Sequence, residues 1–207
     1  MQMKRPFWLF ATLVVAAGCA ASTAFNSTWR NPELRPFRLD GQKVVVLVIN
    51  TQETVRRAAE DTVAAQITER GAQGVAAWTV LPTADMQNEE RARAAFAKVG
   101  ATAAVSMQIV AQGRDPRAPN FSVSMSTGSR GFWGHYNSAW RTTWHSGPAP
   151  NTLVWVETLV HSLQPEDLLW GGRSRSVNPS AIPTLFGEVA NAAAREMARA
   201  GLLKGPA

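Results

Sequence analysis

Hydrophobic positions along the chain fall into runs with two different periods. Residues 43–50 (KVVVLVIN) form an unbroken β-branched run, the pattern of a strand buried on both faces of a sheet. Asn50 and Glu53 then stand at capping-box spacing. Val55, Ala59, Val63 and Ile67 recur every four residues, and Gly71 closes the helix they predict. Residues 74–82 (GVAAWTVLP) read as a second strand that ends at the proline. Asn88 opens a short helix with Ala92, Ala95, Phe96 and Val99 on one face and Gly100 at its end. A third strand follows over 101–112, with Val105, Met107, Ile109 and Ala111 on one face and Ser106, Gln108 and Gln112 on the other. The order β-α-β-α-β predicts parallel strands joined by crossover helices, an α/β class with α+β as the alternative.

Beyond residues 113–116 (GRDP) the periodicity stops for about 35 residues, read as an aromatic-rich loop that is functional, disordered or holds short unrecognised strands. Residues 152–163 (TLVWVETLVHSL) alternate again, with Val154, Val156, Thr158 and Val160 facing one way and His161 facing outward into solvent. Residues 164–167 (QPED) make a turn, and residues 168–177 return as the partner strand of a β-hairpin. Ser180 is the expected cap of a C-terminal helix with Pro183 in its first turn. Ile182, Leu185, Phe186, Val189, Ala193, Met197 and Ala200 form its buried stripe, and Gly201 ends it.

The N-terminus has another character. Lys4 and Arg5 precede an apolar run of 12 residues from Phe7 to Gly18. A membrane span needs roughly 20 apolar residues, so this run has the size of a signal-peptide core rather than a transmembrane helix. Small residues then lead into the single cysteine, Ala16-Ala17-Gly18-Cys19. This stretch resembles the lipobox of bacterial lipoproteins, departing from it at Ala16, where that family more often has Leu. The resemblance implies diacylglycerol on the Cys19 thiol, cleavage before it, and a membrane anchor of two or three acyl chains. Ala20 in place of Asp favours the outer membrane over the inner one, on the enterobacterial pattern. The alternative is an ordinary secretory signal with a structural cysteine. Residues 1–18 are thus expected as signal peptide, 19–42 as lipidated N-terminus and tether, and 43–203 as one periplasmic α/β domain. Within the tether a short strand is expected over Asn26–Trp29, and Trp29 and Phe37 are expected to fold back onto the domain. As a flexible chain, residues 20–42 would span roughly 25 Å.

Composition narrows the function. One cysteine excludes an intramolecular disulfide framework and cysteine-rich zinc sites, and three histidines leave little for metal or triad chemistry. The formal charge of the full sequence is +6. Cleavage before Cys19 leaves 19 basic against 15 acidic residues, a charge of +4. The sequence isoelectric point near 10.4 invites a nucleic-acid reading, but the arginines are spread over helices, loop and hairpin rather than massed in a patch. A modest positive charge suits anionic lipid or peptidoglycan better.

Candidate chemistry is sparse. The densest constellation is aromatic: Phe132, Trp133 and Tyr136, then Trp140 and Trp144, with Arg130 and Arg141 interspersed. Such a set fits a surface for a protein partner or a small envelope ligand such as a glycan, or for the headgroup layer. It equally fits rings that cover the open face of the sheet and complete the core. His135 and His145 lack nearby carboxylates, so no metal site is expected. Arg56, Arg57, Glu60 and Asp61 are expected on the solvated face of the first helix, paired at i,i+4. No GxSxG elbow, SxxK or phosphate-binding glycine loop is present, and Gly171-Gly172 reads as a bulge within a strand. No catalytic residue, metal or cofactor is expected.

The lipobox, the segment Ser27-Thr28-Trp29-Arg30-Asn31-Pro32, the helix bearing Arg57 with Glu60 and Asp61, the small residues of 99–104, and the hairpin reaching Leu168-Leu169-Trp170 together resemble a group of uncharacterised bacterial lipoproteins. The element order is also similar to periplasmic domains such as the N-terminal domain of TolB, the lipoprotein activators of penicillin-binding proteins and the curli secretion lipoprotein. The resemblance implies a lipid-anchored envelope protein that binds a protein partner or assembles, without catalysis. An aromatic-lined domain for a small envelope ligand is the alternative.

Overall fold

Six segments of alternating or continuous apolar character pair into one mixed sheet among the described residues, which are 23–33, 37–114, 131–141 and 152–205 of a computed structural model. The elements are β1 (Thr23–Arg30), β2 (Lys43–Ile49), α1 (Glu53–Thr68), β3 (Gln73–Ala76), α2 (Glu89–Lys98), β4 (Ala103–Gly113), α3 (Phe132–Arg141), β5 (Leu153–Ser162), β6 (Leu168–Val177) and α4 (Ile182–Arg199). The strand order is β1-β6-β5-β4-β2-β3. Val44 of β2 lies opposite Gly74 of β3 and Ala103 of β4, both parallel, as the β-α-β-α-β pattern requires. The remaining pairs, β4–β5, β5–β6 and β6–β1, are antiparallel. The class is therefore mixed α/β, with the hairpin and the C-terminal helix in the expected places.

Helices cover both faces. On one, α1 and α4 bury Val63, Ile67, Leu185, Phe186 and Met197 against Val46, Val105, Met107, Val156 and Val160. On the other, α2 and α3 bury Phe96, Phe132, Trp133 and Tyr136 against Val45, Leu47, Ile49 and Ala104. This double cover explains why β2 reads as an unbroken apolar run. Gly74 lets β3 approach α1: a Cβ there would stand 2.2 Å from the Ala64 carbonyl oxygen.

Several local expectations change. A full strand, Thr23–Arg30, pairs with β6 where only Asn26–Trp29 was expected, so the chain joins the sheet four residues after Cys19. Phe25 packs against the core and onto the Trp170 ring, 5.8 Å between centroids. Gly172 is no bulge: it stays in register opposite Thr28 and Thr158, and a Cβ there would lie 2.6 Å from both the Phe25 and Trp170 rings. The register shifts of the hairpin fall at Val160/His161 instead. The second strand stops at Ala76 and passes into a 3-10 turn, Ala77–Thr79, because the Trp78 N–H is taken by a side chain of α1 rather than by β2. Asn50 does not cap α1. Its side chain accepts from Gln52 N–H, and the N-cap is Gln52. Ser180 does not cap α4, whose N-cap is Ala181 without a side-chain bond. Asn88 caps α2 as expected, accepting from Arg91 N–H at 3.0 Å.

Candidate functional site

The segment read as an irregular loop contains a ten-residue helix, α3. Its sequence, FWGHYNSAWR, is poor in strong helix formers, yet Phe132, Trp133, Tyr136 and Ala139 recur at helical spacing and are buried. Burial of that aromatic face, not intrinsic propensity, makes the helix. Phe132 and Trp133 meet edge to face, centroids 4.8 Å apart, and Phe96 of α2 stands 5.7 Å from Trp133. The Tyr136 hydroxyl donates to the Met86 carbonyl, and burial raises its pKa. Trp140 is half-buried against Tyr136. Trp144, Arg130 and His145 lie outside the described residues. Of the five rings named as a candidate surface, Phe132, Trp133 and Tyr136 thus lie against the sheet.

At its outer edge this cluster is clamped by charge. The Arg93 guanidinium lies 4.5 Å above the Trp133 ring and bonds Glu89 at 2.7 Å and Glu166 at 2.9 Å. Glu89 also receives the Asn137 side-chain amide of α3. These contacts tie α2, α3 and the β5–β6 turn together. Bonds from Arg93 and Asn137 hold the Glu89 carboxyl below its ordinary value.

Beneath α3 sits a polar group that the sequence did not foretell. Because α3 covers this face, His161 is 1% exposed rather than solvated. Its ring stacks on that of His135, 5.7 Å between centroids with a 21° interplanar angle, and Phe132 meets it edge-on. His135 Nε2 is 3.0 Å from Ser106 Oγ. His161 Nδ1 is buried without a hydrogen-bond partner among the described residues. Burial pushes His135 down to about 4, and burial together with the proximity of His135 holds His161 well below the ordinary imidazole value. Ser106 and His135 are a hydroxyl–imidazole pair, a contact that hydrolases use. Here Ser106 is 1% exposed in the middle of β4, and among the described residues no carboxylate is bonded to the His135 ring. Without displacement of α3 no substrate atom reaches the hydroxyl.

The second polar cluster stands at the C-terminal end of β2. Arg56 and Glu60, expected on the solvated face of α1, are 2% and 0% exposed. Glu60 occupies the place where β3 would continue: Oε1 accepts the Val48 N–H at 3.2 Å and Oε2 the Trp78 N–H at 2.8 Å. Arg56 Nη1 lies 3.7 Å from Glu60, and Nη2 donates to Thr83 at 2.9 Å. Burial pushes the Glu60 carboxyl up to about 7, against the lowering pull of Trp78, Arg56 and Val48. Helical spacing alone places 56 and 60 beside the 55–59–63 stripe, and no pattern marks the missing rung of the sheet that they fill. Arg57 and Asp61 do face outward: Arg57 pairs with Glu53 and lies 5.0 Å above the Trp78 ring, whose indole N–H donates to Asp61.

Among the described residues no group of three or more His, Cys, Asp or Glu is placed to hold a metal ion. Nor is any described helix long and apolar enough to cross a membrane. The polar clusters are bound into the packing between helices and sheet, and what they do chemically is join elements. No protein-family model matches the chain, and no curated protein matches it. Among solved structures, the chain is similar to a PelC dodecamer from Paraburkholderia phytofirmans, at 12% identity and a TM-score of 0.45, over 82% of this chain and 93% of that one. It is also similar to a PelC variant dodecamer from the same organism, at 13% identity and a TM-score of 0.44, over 84% and 96% of the two chains.

Proposed function

We propose that this chain is a lipid-anchored protein of the bacterial cell envelope, with its domain facing the periplasm at the outer membrane. It acts without catalysis, by binding a protein partner or by assembling. The observation that carries this reading is the position of Cys19: the only cysteine of 207 residues follows a short apolar core and the small residues Ala16, Ala17 and Gly18. Acyl chains on that thiol would supply about 0.8 kcal/mol per buried methylene, enough in two or three chains for stable anchoring. The burial of Ser106, Arg56 and Glu60, at 1%, 2% and 0% exposed, supports a non-catalytic role. β1 is an edge strand of the sheet among the described residues, which supports interaction, because unpaired edge strands are ready partners for other chains.

Replacing Cys19 by Ala is expected to abolish palmitate labelling and release the protein from the membrane fraction; unchanged labelling and fractionation would refute the anchor. Chemical cross-linking of the full chain in envelopes is expected to trap a homo-oligomer or a second protein. A chain that stays monomeric and uncross-linked at its native level would refute the binding role.

A further inference from the structure

The position of β1 gives the anchor a direction. Only residues 20–22 separate Cys19 from Thr23, the first residue of a strand locked into the sheet. An extended chain advances at most 3.3–3.6 Å per residue, so the Cα of Thr23 lies within about 14 Å of that of Cys19. The strand then runs away from that point for eight residues. At about 3.4 Å per residue, Arg30 lies roughly 24 Å further on. Every element therefore has a near and a far end with respect to the anchor. Thr23 pairs with Ser176 and bonds its hydroxyl, and its own hydroxyl also reaches Glu188 in the first half of α4. Leu153 opens β5 beside Val177 and Gly113, so these termini share the near end with the start of α4. At the far end lie Asn31, bonded to Leu169, and the C-terminal segment, bonded to Leu39 through Leu202.

Two exposed basic side chains at the near end suit a lipid neighbour. Arg114 and Arg175 are exposed there. Among the described residues at this end, Glu53 is paired with Arg57 and Glu157 with Arg173 at 2.8 Å, while Glu188 accepts from the Thr23 hydroxyl. Basic side chains within a Debye length of an anionic leaflet are drawn to it.

We propose that the end of the sheet marked by Thr23, Leu153 and Val177, with the start of α4, rests against the headgroup layer of the bilayer that holds Cys19, and that Arg114 and Arg175 face lipid phosphates. This rests on the lipid-anchor reading and adds the orientation of the domain to it. The far end, with Glu69 and Lys204, points into the periplasm as the face open to partners.

The test uses the acylated full chain in vesicles of phosphatidylethanolamine and phosphatidylglycerol. Acylation consumes the only native thiol, so a single introduced cysteine can be labelled uniquely. Ala24→Cys and Ser180→Cys mark the near end, Glu69→Cys and Lys204→Cys the far end; all four positions are exposed. Each carries a fluorophore, and a headgroup-borne spin label is the quencher. The expected result is quenching several-fold stronger at the two near positions than at the two far ones. Equal quenching at both ends, or stronger quenching at the far end, in protein that floats with the vesicles overturns the orientation while the anchor stands. Protein that does not float overturns both, and locates the failure in the anchor.

Discussion

The imidazole rings of His135 and His161 stack 5.7 Å apart between α3 and the sheet, one contributed by the helix and one by β5. Burial holds both below the ordinary imidazole value of 6.5, His135 at about 4. Between those values the unfolded chain binds protons that the folded chain refuses, so acid favours unfolding. The stability owed to these neutral rings is complete above about pH 6.5 and drains away as pH falls toward 4. Denaturant titrations across that range should show the slope in the native chain and a flatter one in His161→Leu. Parallel slopes in the two proteins would contradict the buried, uncharged pair.

Glu60 should give the opposite pH response. Its folded-state value is raised to about 7 from 4.5, so its contribution is greatest in acid and is lost as pH rises through that window. Glu60→Gln removes the titration while keeping a carbonyl acceptor for one backbone N–H. Glu60→Ala strands both N–H groups and the Arg56 guanidinium, and should cost about 2–4 kcal/mol. Equal denaturation midpoints for Glu60→Ala and the native chain would show that the carboxylate does not replace the missing rung of β3.

Gly172 and Gly74 should resist substitution for different reasons. At Gly172 a methyl group meets the Phe25 and Trp170 rings, so Gly172→Ala should loosen β1 from β6 at a cost of about 1–3 kcal/mol. At Gly74 it meets the Ala64 carbonyl, backbone that cannot rotate aside. Gly74→Ala should therefore cost at least as much. Hydrogen exchange separates the two, with protection lost first in β1 for one and in β3 for the other.

Truncation of the α3 rings should grade with depth. Phe132→Ala is expected to cost about 3–5 kcal/mol, with loss of the helix, since its ring touches Phe96, Trp133, Tyr136 and His161. Trp140→Ala, at a half-buried site, should cost distinctly less. Thermal unfolding of the two variants measures the difference, and a reversed order would place the aromatic face outward.

The sheet was legible wherever apolar periodicity was continuous: the β2 run, the 55–59–63–67 stripe of α1, the β5–β6 hairpin and the long amphipathic α4. What escaped was set by tertiary partners. α3 carries Gly134, His135 and Asn137, weak helix formers without cap signals, and its helix exists because Phe132 and Tyr136 join the core cluster that includes Ala104 and Leu47 of the sheet. His161 looked solvated because β5 alternates cleanly, and an alternating strand shows no sign of a helix lying on its polar side. Arg56 and Glu60 read as an ordinary surface pair because their burial depends on where β3 stops, and that point is fixed by Glu60 itself. The candidate site thus hides in relations between segments, while each segment alone reads as ordinary.

The pairing of Thr23 with Ser176 also governs the order in which the molecule can be completed. These residues are 153 positions apart, so β1, made early in synthesis, is among the last strands to find its neighbour. Contacts of such sequence separation are slow to form, because the intervening chain must be closed before they repay its entropy. Until β6 arrives, Phe25 lacks the Trp170 ring it packs against and β1 lacks its partner strand. A chain interrupted before Leu168 never gains the strand that pairs with β1, so its N-terminal segment keeps an unsatisfied row of backbone donors and acceptors.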